Sequence, residues 1–227
     1  MKTKIAAMFD DLSGKLGNIV AAKGRGGSYI RARVIPFNPC STAQIAARAI
    51  MTTNSQAWAG LSDAQRTLWD AAVSDWKTSG IFGNKLTPSG FNLYCSLNNN
   101  LGVIGVSAIS VPPAKAAVPG IATLSATQVH SGATTIVFTP TPLAAGSKYI
   151  VEATRPMSAG ISFVKSKYRI IAVLPAGTAS PYTATTVYAT KFGGPGLATQ
   201  KVFFRIRPID STTGQPGAPL TCIAIVS

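Results

Sequence analysis

The chain has 227 residues, enough to bury two modest cores, and a hydrophobic share of 46% excludes a disordered polymer. Only 12% of residues are charged, yet 21 Lys and Arg face 7 Asp and Glu, and the net charge of +14 favours an anionic partner such as nucleic acid or an acidic protein surface. No run approaches the roughly 18 apolar residues needed to span a bilayer. The apolar stretch 5–9 is cut by Asp10 and Asp11 too early for a signal-peptide core, so synthesis and assembly in a cytoplasm are expected.

Residues 1–40 form a basic, glycine-rich arm or a set of short strands, carrying Lys2, Lys4, Lys15, Lys23, Arg25, Arg31 and Arg33 against Asp10 and Asp11. Gly14, Gly17, Gly24, Gly26 and Gly27 punctuate it, and Pro36-Phe37-Asn38-Pro39 ends it, since proline removes a donor and biases its predecessor to extended geometry. A three-helix domain is predicted over 41–102. Ser41 with Gln44 and Ser62 with Gln65 both fit the capping box, and Thr87-Pro88 fits an N-cap followed by proline at the first helical position. In the second helix Leu68, Trp69, Ala72, Val73 and Trp76 recur at three- and four-residue steps, a broad apolar face. All three tryptophans, Trp58, Trp69 and Trp76, fall in this domain.

Residues 103–120, rich in Val, Ala and Pro, read as a linker or an extended bridging strand. Beyond it, apolar and polar residues alternate in short runs separated by Gly and Pro, with candidate strands at 122–126, 134–138, 148–154, 167–173, 182–190, 201–208 and 220–226. The sixth is the clearest, with Val202, Phe204 and Ile206 facing in and Phe203, Arg205 and Arg207 facing out. Seven strands without a helix argue for a β-sandwich, and the chain as a whole for an α+β multidomain protein.

Catalytic chemistry has few residues to draw on. The single histidine, His130, sits in a predicted turn, and no G-x-S-x-G elbow accompanies it. Asp63, Asp70 and Asp75 fall on predicted exposed helix positions, where solvation is the expected role. Cys40, Cys95 and Cys222 lack metal-ligand spacing and are expected as reduced thiols. Gly24-Arg25-Gly26-Gly27 lacks the spacing of a triphosphate-binding loop and reads as a tight turn. No cofactor or metal is predicted, and the chain is expected not to be an enzyme. The residues with a legible purpose are basic and aromatic: Lys15, Lys23, Arg25, Tyr29, Arg31 and Arg33 in the arm, and Arg205 and Arg207 on the sixth strand, as contacts to an assembly or an anionic partner. Lys165, Lys167 and Arg169 extend this second group as a candidate basic stripe, with edge protection as the other reading.

Taken in order, Gly14-Lys15-Leu16-Gly17, Gly27-Ser28-Tyr29-Ile30-Arg31, Pro36-Phe37-Asn38-Pro39 with Thr42, Gln44 and Arg48, then Trp58, Leu61, Gln65-Arg66, Trp69 and Gly90-Phe91 with Asn98 resemble an uncharacterised family encoded among phage and prophage structural genes. The resemblance covers about residues 12–102, implies a virion component and transfers no catalytic residue. The run Lys201-Val202-Phe203-Phe204-Arg205-Ile206-Arg207-Pro208-Ile209-Asp210 resembles the sixth strand of a fibronectin type III module entering its last hairpin. That implies a seven-stranded immunoglobulin/fibronectin III-like β-sandwich over 121–227, a module often carried by phage tail and capsid accessory proteins. The tryptophan usual on that module's second strand is missing here, which leaves a generic immunoglobulin-like sandwich open.

The reading that follows is a structural protein of a phage virion, a head decoration or tail-associated protein assembled in the host cytoplasm. Its expected partners are capsid or tail subunits in multiple copies. The alternative is a nucleic-acid-binding protein using the basic arm and helices.

Overall fold

A computed structural model describes residues 2–4, 13–24, 27–79, 84–130 and 132–227, in a mixed α+β chain whose sheets are antiparallel. Contacts divide the chain into two compact units, Met1–Cys95 and Ser96–Ser227.

The N-terminal unit begins with strands β1 (Lys2–Lys4), β2 (Gly14–Leu16), β3 (Ile19–Gly24) and β4 (Gly27–Ala32), in the sheet order β1-β4-β3-β2. Gly17 takes φ +55° in the two-residue turn joining β2 to β3, a left-handed position that costs glycine little. The arm is thus built as short strands. No described residue of β2, β3 or β4 is buried.

Helix α1 (Thr42–Ala59) follows, and its Ser41 side chain makes no capping bond, contrary to the capping box expected there. Helix α2 (Asp63–Ala72) has the predicted device in full: Gln65 N–H donates to Ser62 Oγ at 3.3 Å and Ser62 N–H donates to Gln65 Oε1 at 3.0 Å. A 3₁₀ turn (Val73–Asp75) and a small hairpin of β5 (Thr78–Ser79) with β6 (Lys85–Leu86) lead to α3 (Gly90–Val103). That helix starts later than Thr87-Pro88 suggested. Its orphaned amides are satisfied instead by Ser89 Oγ, which accepts from Asn92 N–H at 3.2 Å, and by Asp70 Oδ1 of α2, which accepts from Gly90 N–H at 3.0 Å. Asp70, exposed as expected, therefore also serves as a surrogate cap.

The unit's core is narrower than the apolar face of α2 implied. Trp69 is fully buried and meets Tyr94 edge-on at 5.3 Å, and Trp58 packs on Phe91 at 5.7 Å and on Tyr94 at 5.3 Å. Leu68 is exposed and Trp76 only half-buried.

The C-terminal unit contains β7 (Thr123–Gln128), β8 (Thr134–Thr139), β9 (Ser147–Ala153), β10 (Arg169–Leu174), β11 (Tyr182–Thr183), helix α4 (Thr185–Phe192), β12 (Lys201–Asp210) and β13 (Leu220–Ile225). These strands make a four-stranded sheet, β10-β9-β12-β13, and a three-stranded one, β11-β8-β7. One core joins them: Ile136 and Phe138 from the smaller sheet meet Tyr149, Val151, Val202, Phe204, Ile206 and Ala224 from the larger. The alternation expected on β12 places Val202, Phe204 and Ile206 in that core, but Phe203, expected to face out, is buried on the other face with Met157 and Val164.

Two further expectations fail in this unit. The strand anticipated over 182–190 stops after two residues and gives way to α4. Helical geometry brings Tyr188 and Phe192, four apart, into ring contact at 4.9 Å, and the buried Tyr188 hydroxyl donates to Thr154 O at 3.0 Å. Gly193, at φ +85°, closes the helix with a left-handed cap. The stretch 103–120 is also no free linker. Leu101 and Ile104 are buried with Ile150 and Ile209, and Val106 and Ile109 pack against them. Asn98 donates to Ile109 O at 3.2 Å and accepts from Ile109 N–H at 2.7 Å, while the buried Gln215 side chain accepts from Ala116 N–H and donates to Ala114 O. The second half of α3 and the chain after it accordingly group with the C-terminal unit.

The turn after β12 is organised by Asp210, whose Oδ1 accepts from Thr212 N–H, Thr212 Oγ1–H and Thr213 N–H at 2.7–2.8 Å. Partial burial pushes this carboxyl's pKa up, but the threonine hydrogen bonds together outweigh it and hold the pKa below the usual carboxylate value.

Trp69→Ala should destabilise the N-terminal unit by about 3–5 kcal/mol, the range for deleting a buried aromatic. Tryptophan fluorescence during denaturant titration isolates that unit, since it holds all three tryptophans. Gly90→Ala tests the Asp70 cap with the opposite sign from helix propensity. Propensity alone offers up to about 1 kcal/mol of stabilisation, but a Cβ at Gly90 would collide with Asp70 Oδ1 and crowd Asp70 N at 3.0 Å. The expected result is a net loss of about 1–3 kcal/mol. A depressed folded-state pKa contributes stability above the unfolded pKa and loses it as pH falls through the folded value. Asp210→Asn should therefore be less stable than the parent at pH 7, and the gap should close in acid, as pH falls below the ordinary carboxylate value and through the lowered one, as thermal unfolding at stepped pH will show.

Candidate functional site

Several of the groups that could serve catalysis are engaged by the fold. His130 Nδ1 lies 2.7 Å from Gly196 O, and His130 N–H donates to Ser227 O. Asp63 pairs with Arg66 at the start of α2, and Asp70 caps α3. Cys40, Cys95 and Cys222 are free thiols, and burial pushes the pKa of Cys95 up and that of Cys222 to about 11, which disfavours the nucleophilic thiolate. Among the described residues no three His, Cys, Asp or Glu side chains converge as metal ligands, and no helix is long and apolar enough to cross a membrane.

The basic and aromatic residues of the arm are sorted by strand register. Lys15 pairs with Val20, Val20 with Arg31, and Ala22 with Tyr29, so Lys15, Tyr29 and Arg31 share one face of the sheet. Lys23 pairs with Ser28 and lies on the other face, with Leu16, Ile19, Ala21 and Ile30. Arg33 stands just past the end of β4, its N–H bound to Asn18 O at 2.7 Å, and Arg25 lies outside the described residues. Of the arm residues named from sequence, Lys15, Tyr29 and Arg31 therefore share a face and Lys23 takes the opposite one. The geometry makes a two-faced sheet, basic and aromatic on one side and mainly apolar on the other.

Large apolar side chains remain in solvent on and after this sheet: Leu16 is 82% exposed, Ile35 78% and Phe37 88%, with Ile19, Val34, Ile45 and Met51 also open. Helix α1 buries only Asn54 over its 18 residues. Periodicity could not reveal this, because it measures the apolar content of a face and not what lies against it.

In the C-terminal unit the expected basic stripe is divided. Arg205 and Arg207 both reach Glu152, a carboxylate only 9% exposed, and the Arg205 guanidinium lies over the Tyr168 ring at 4.2 Å. Glu152 offsets one of their two charges within the sheet. Lys167 and Arg169 point elsewhere, to a cavity of about 260 Å³ that they line with Arg155, Ser166 and Phe192. Arg155 went unnoticed in the sequence; its only signal there is its place directly after the candidate strand 148–154, just before Pro156.

Set against known proteins, the chain matches no protein-family model and no curated protein.

Proposed function

We propose that this chain is a non-enzymatic structural component of a bacteriophage-type virion, in which the N-terminal unit docks on a repeating protein assembly and the C-terminal unit is displayed as a fibronectin III-like β-sandwich. The observation that carries the docking half is the uncovered apolar surface of residues 13–59, whose sheet has no described buried residue and whose 18-residue helix buries one. A monomer gains nothing from leaving so many large apolar groups in water. At about 25 cal/mol per Å² of apolar area, covering them with a neighbouring subunit is strongly favourable. A two-faced sheet also suits a contact in which one side meets protein and the other meets acidic groups of the same assembly.

The display half draws on strand order. The first, second and fifth strands of the C-terminal unit share one sheet, and the fourth, third, sixth and seventh share the other in that sequence. This order is that of a fibronectin type III module, and the sequence resemblance at 201–210 falls on its sixth strand. The helix α4 between the fifth and sixth strands departs from the plain module.

The basic, aromatic face of Lys15, Tyr29 and Arg31 favours a second reading, contact with nucleic acid through phosphate pairing and stacking.

Removing residues 1–35 should abolish incorporation into particles purified on a density gradient, while the C-terminal unit keeps its unfolding transition. If the truncated chain still reaches full occupancy, the arm is not the anchor. Loss of incorporation together with a steep salt dependence of the intact protein's binding to a DNA duplex would move the assignment to nucleic acid.

A further inference from the structure

The C-terminal unit has ten Lys and Arg and two side-chain carboxylates, and both carboxylates are engaged: Glu152 by Arg205 and Arg207, Asp210 by Thr212 and Thr213. None is left for Arg155, Lys167 and Arg169, which nonetheless converge on the cavity they share with Ser166 and Phe192. Like charges brought to one concave site repel unless an anion joins them.

The walls are held in place. Arg155 follows Thr154, whose carbonyl accepts from the Tyr188 hydroxyl at 3.0 Å and whose Oγ1 accepts from Phe203 N–H at 3.1 Å. Arg169 Nη1 donates to the Ser166 and Tyr168 carbonyls at 3.2 and 2.8 Å, which fixes the guanidinium and leaves its other N–H donors for a ligand. Phe192, the last residue of α4, rests on the buried Tyr188.

We infer that this cavity binds a phosphorylated monosaccharide unit. Three separate cationic groups and a hydroxyl match the several oxygens of a phosphate better than the two coplanar oxygens of a carboxylate. A single aromatic ring offers an apolar face to one sugar ring. The volume of about 260 Å³ lies below the range typical of drug-sized ligands and suits a body of one ring. The site lies wholly in the C-terminal unit and does not depend on how the N-terminal unit assembles.

The test is an NMR titration of the isotope-labelled full chain with mannose 6-phosphate, inorganic phosphate and mannose. Mannose 6-phosphate should give saturable shifts at the amides of Arg155, Ser166, Lys167 and Arg169, inorganic phosphate weaker shifts at the same amides, and mannose none. Arg155→Gln and Lys167→Gln, both side chains lying outside the core, should each weaken mannose 6-phosphate binding by about tenfold without changing thermal unfolding. A phosphomannan polymer, native against phosphatase-treated, separates the two sources: retention of the protein by the native polymer alone assigns a surface glycan, and binding of the free ester without retention assigns a small molecule. The inference is overturned if no saturable shift appears, if mannose binds equally, or if the shifts spread to Arg205 and Arg207 and survive both substitutions.

Discussion

Residues 13–59 hold apolar surface that their own unit does not cover, and the organisation of the rest of the chain turns on that shortfall. The aromatic cluster of Trp58, Trp69, Phe91 and Tyr94 is large enough to fix α2 against the start of α3, but it leaves Ile45 and Met51 on α1 in solvent. Strands β2, β3 and β4 have hydrogen bonds but, among the described residues, no buried side chain. A sheet in that condition is at the margin of stability in water, since pairing must offset roughly 1–2 kcal/mol of backbone entropy per ordered residue with little burial to help. Its stability and its partner are therefore one question, and this links the local structure directly to the proposed docking role.

The C-terminal unit solves the opposite problem. Its two sheets close over Phe138, Tyr149, Val151, Phe204 and Ile206, all fully buried, and the chain before the first strand is drawn in by Asn98, Gln215 and the Leu101–Ile104 contact with Ile150 and Ile209. The buried Asn98 and Gln215 side chains pair with backbone, so 104–120, which forms no regular element, is still fastened at several points. A unit closed in this way is suited to being displayed, because little of its stability is borrowed from a neighbour.

Much of this was legible beforehand where the signal is local. The Ser62–Gln65 box, the inward set Val202, Phe204 and Ile206 and the burial of Trp69 each rest on residues within a few positions of one another, and the structure realises them, whereas Trp76 falls beyond α2 and Phe203, expected to face out, is buried against Met157 and Val164. Signals that depend on distant partners were not legible. Asp70 reads as a surface acid and is one, but nothing local to it shows that Gly90, twenty residues on, presents its amide to it. The α4 segment opens Thr-Thr-Val-Tyr, a β-favouring run, and only the fit of Tyr188 and Phe192 into the sandwich side decides for helix. The same limit governs the site residues. Lys15 and Lys23 look equivalent in a basic arm, but in a strand the face alternates at every residue, and the register of β2, β3 and β4 puts them on opposite sides.

Charge scarcity decides which of the many cations are available to a partner. With only Glu152 and Asp210 in the C-terminal unit, the location of one carboxylate settles the state of several arginines. Glu152 sits on β9 directly opposite Arg205 of β12, and its nearly complete burial favours a close pair with that guanidinium, with Arg207 within 3.8 Å. The strand that looked most like a docking stripe is thereby partly neutralised. Arg155, just beyond β9, is not among the partners of Glu152. Of the ten basic residues in this unit Glu152 engages two and three line the cavity, and it is such local concentration rather than net charge that permits selective recognition of an anion.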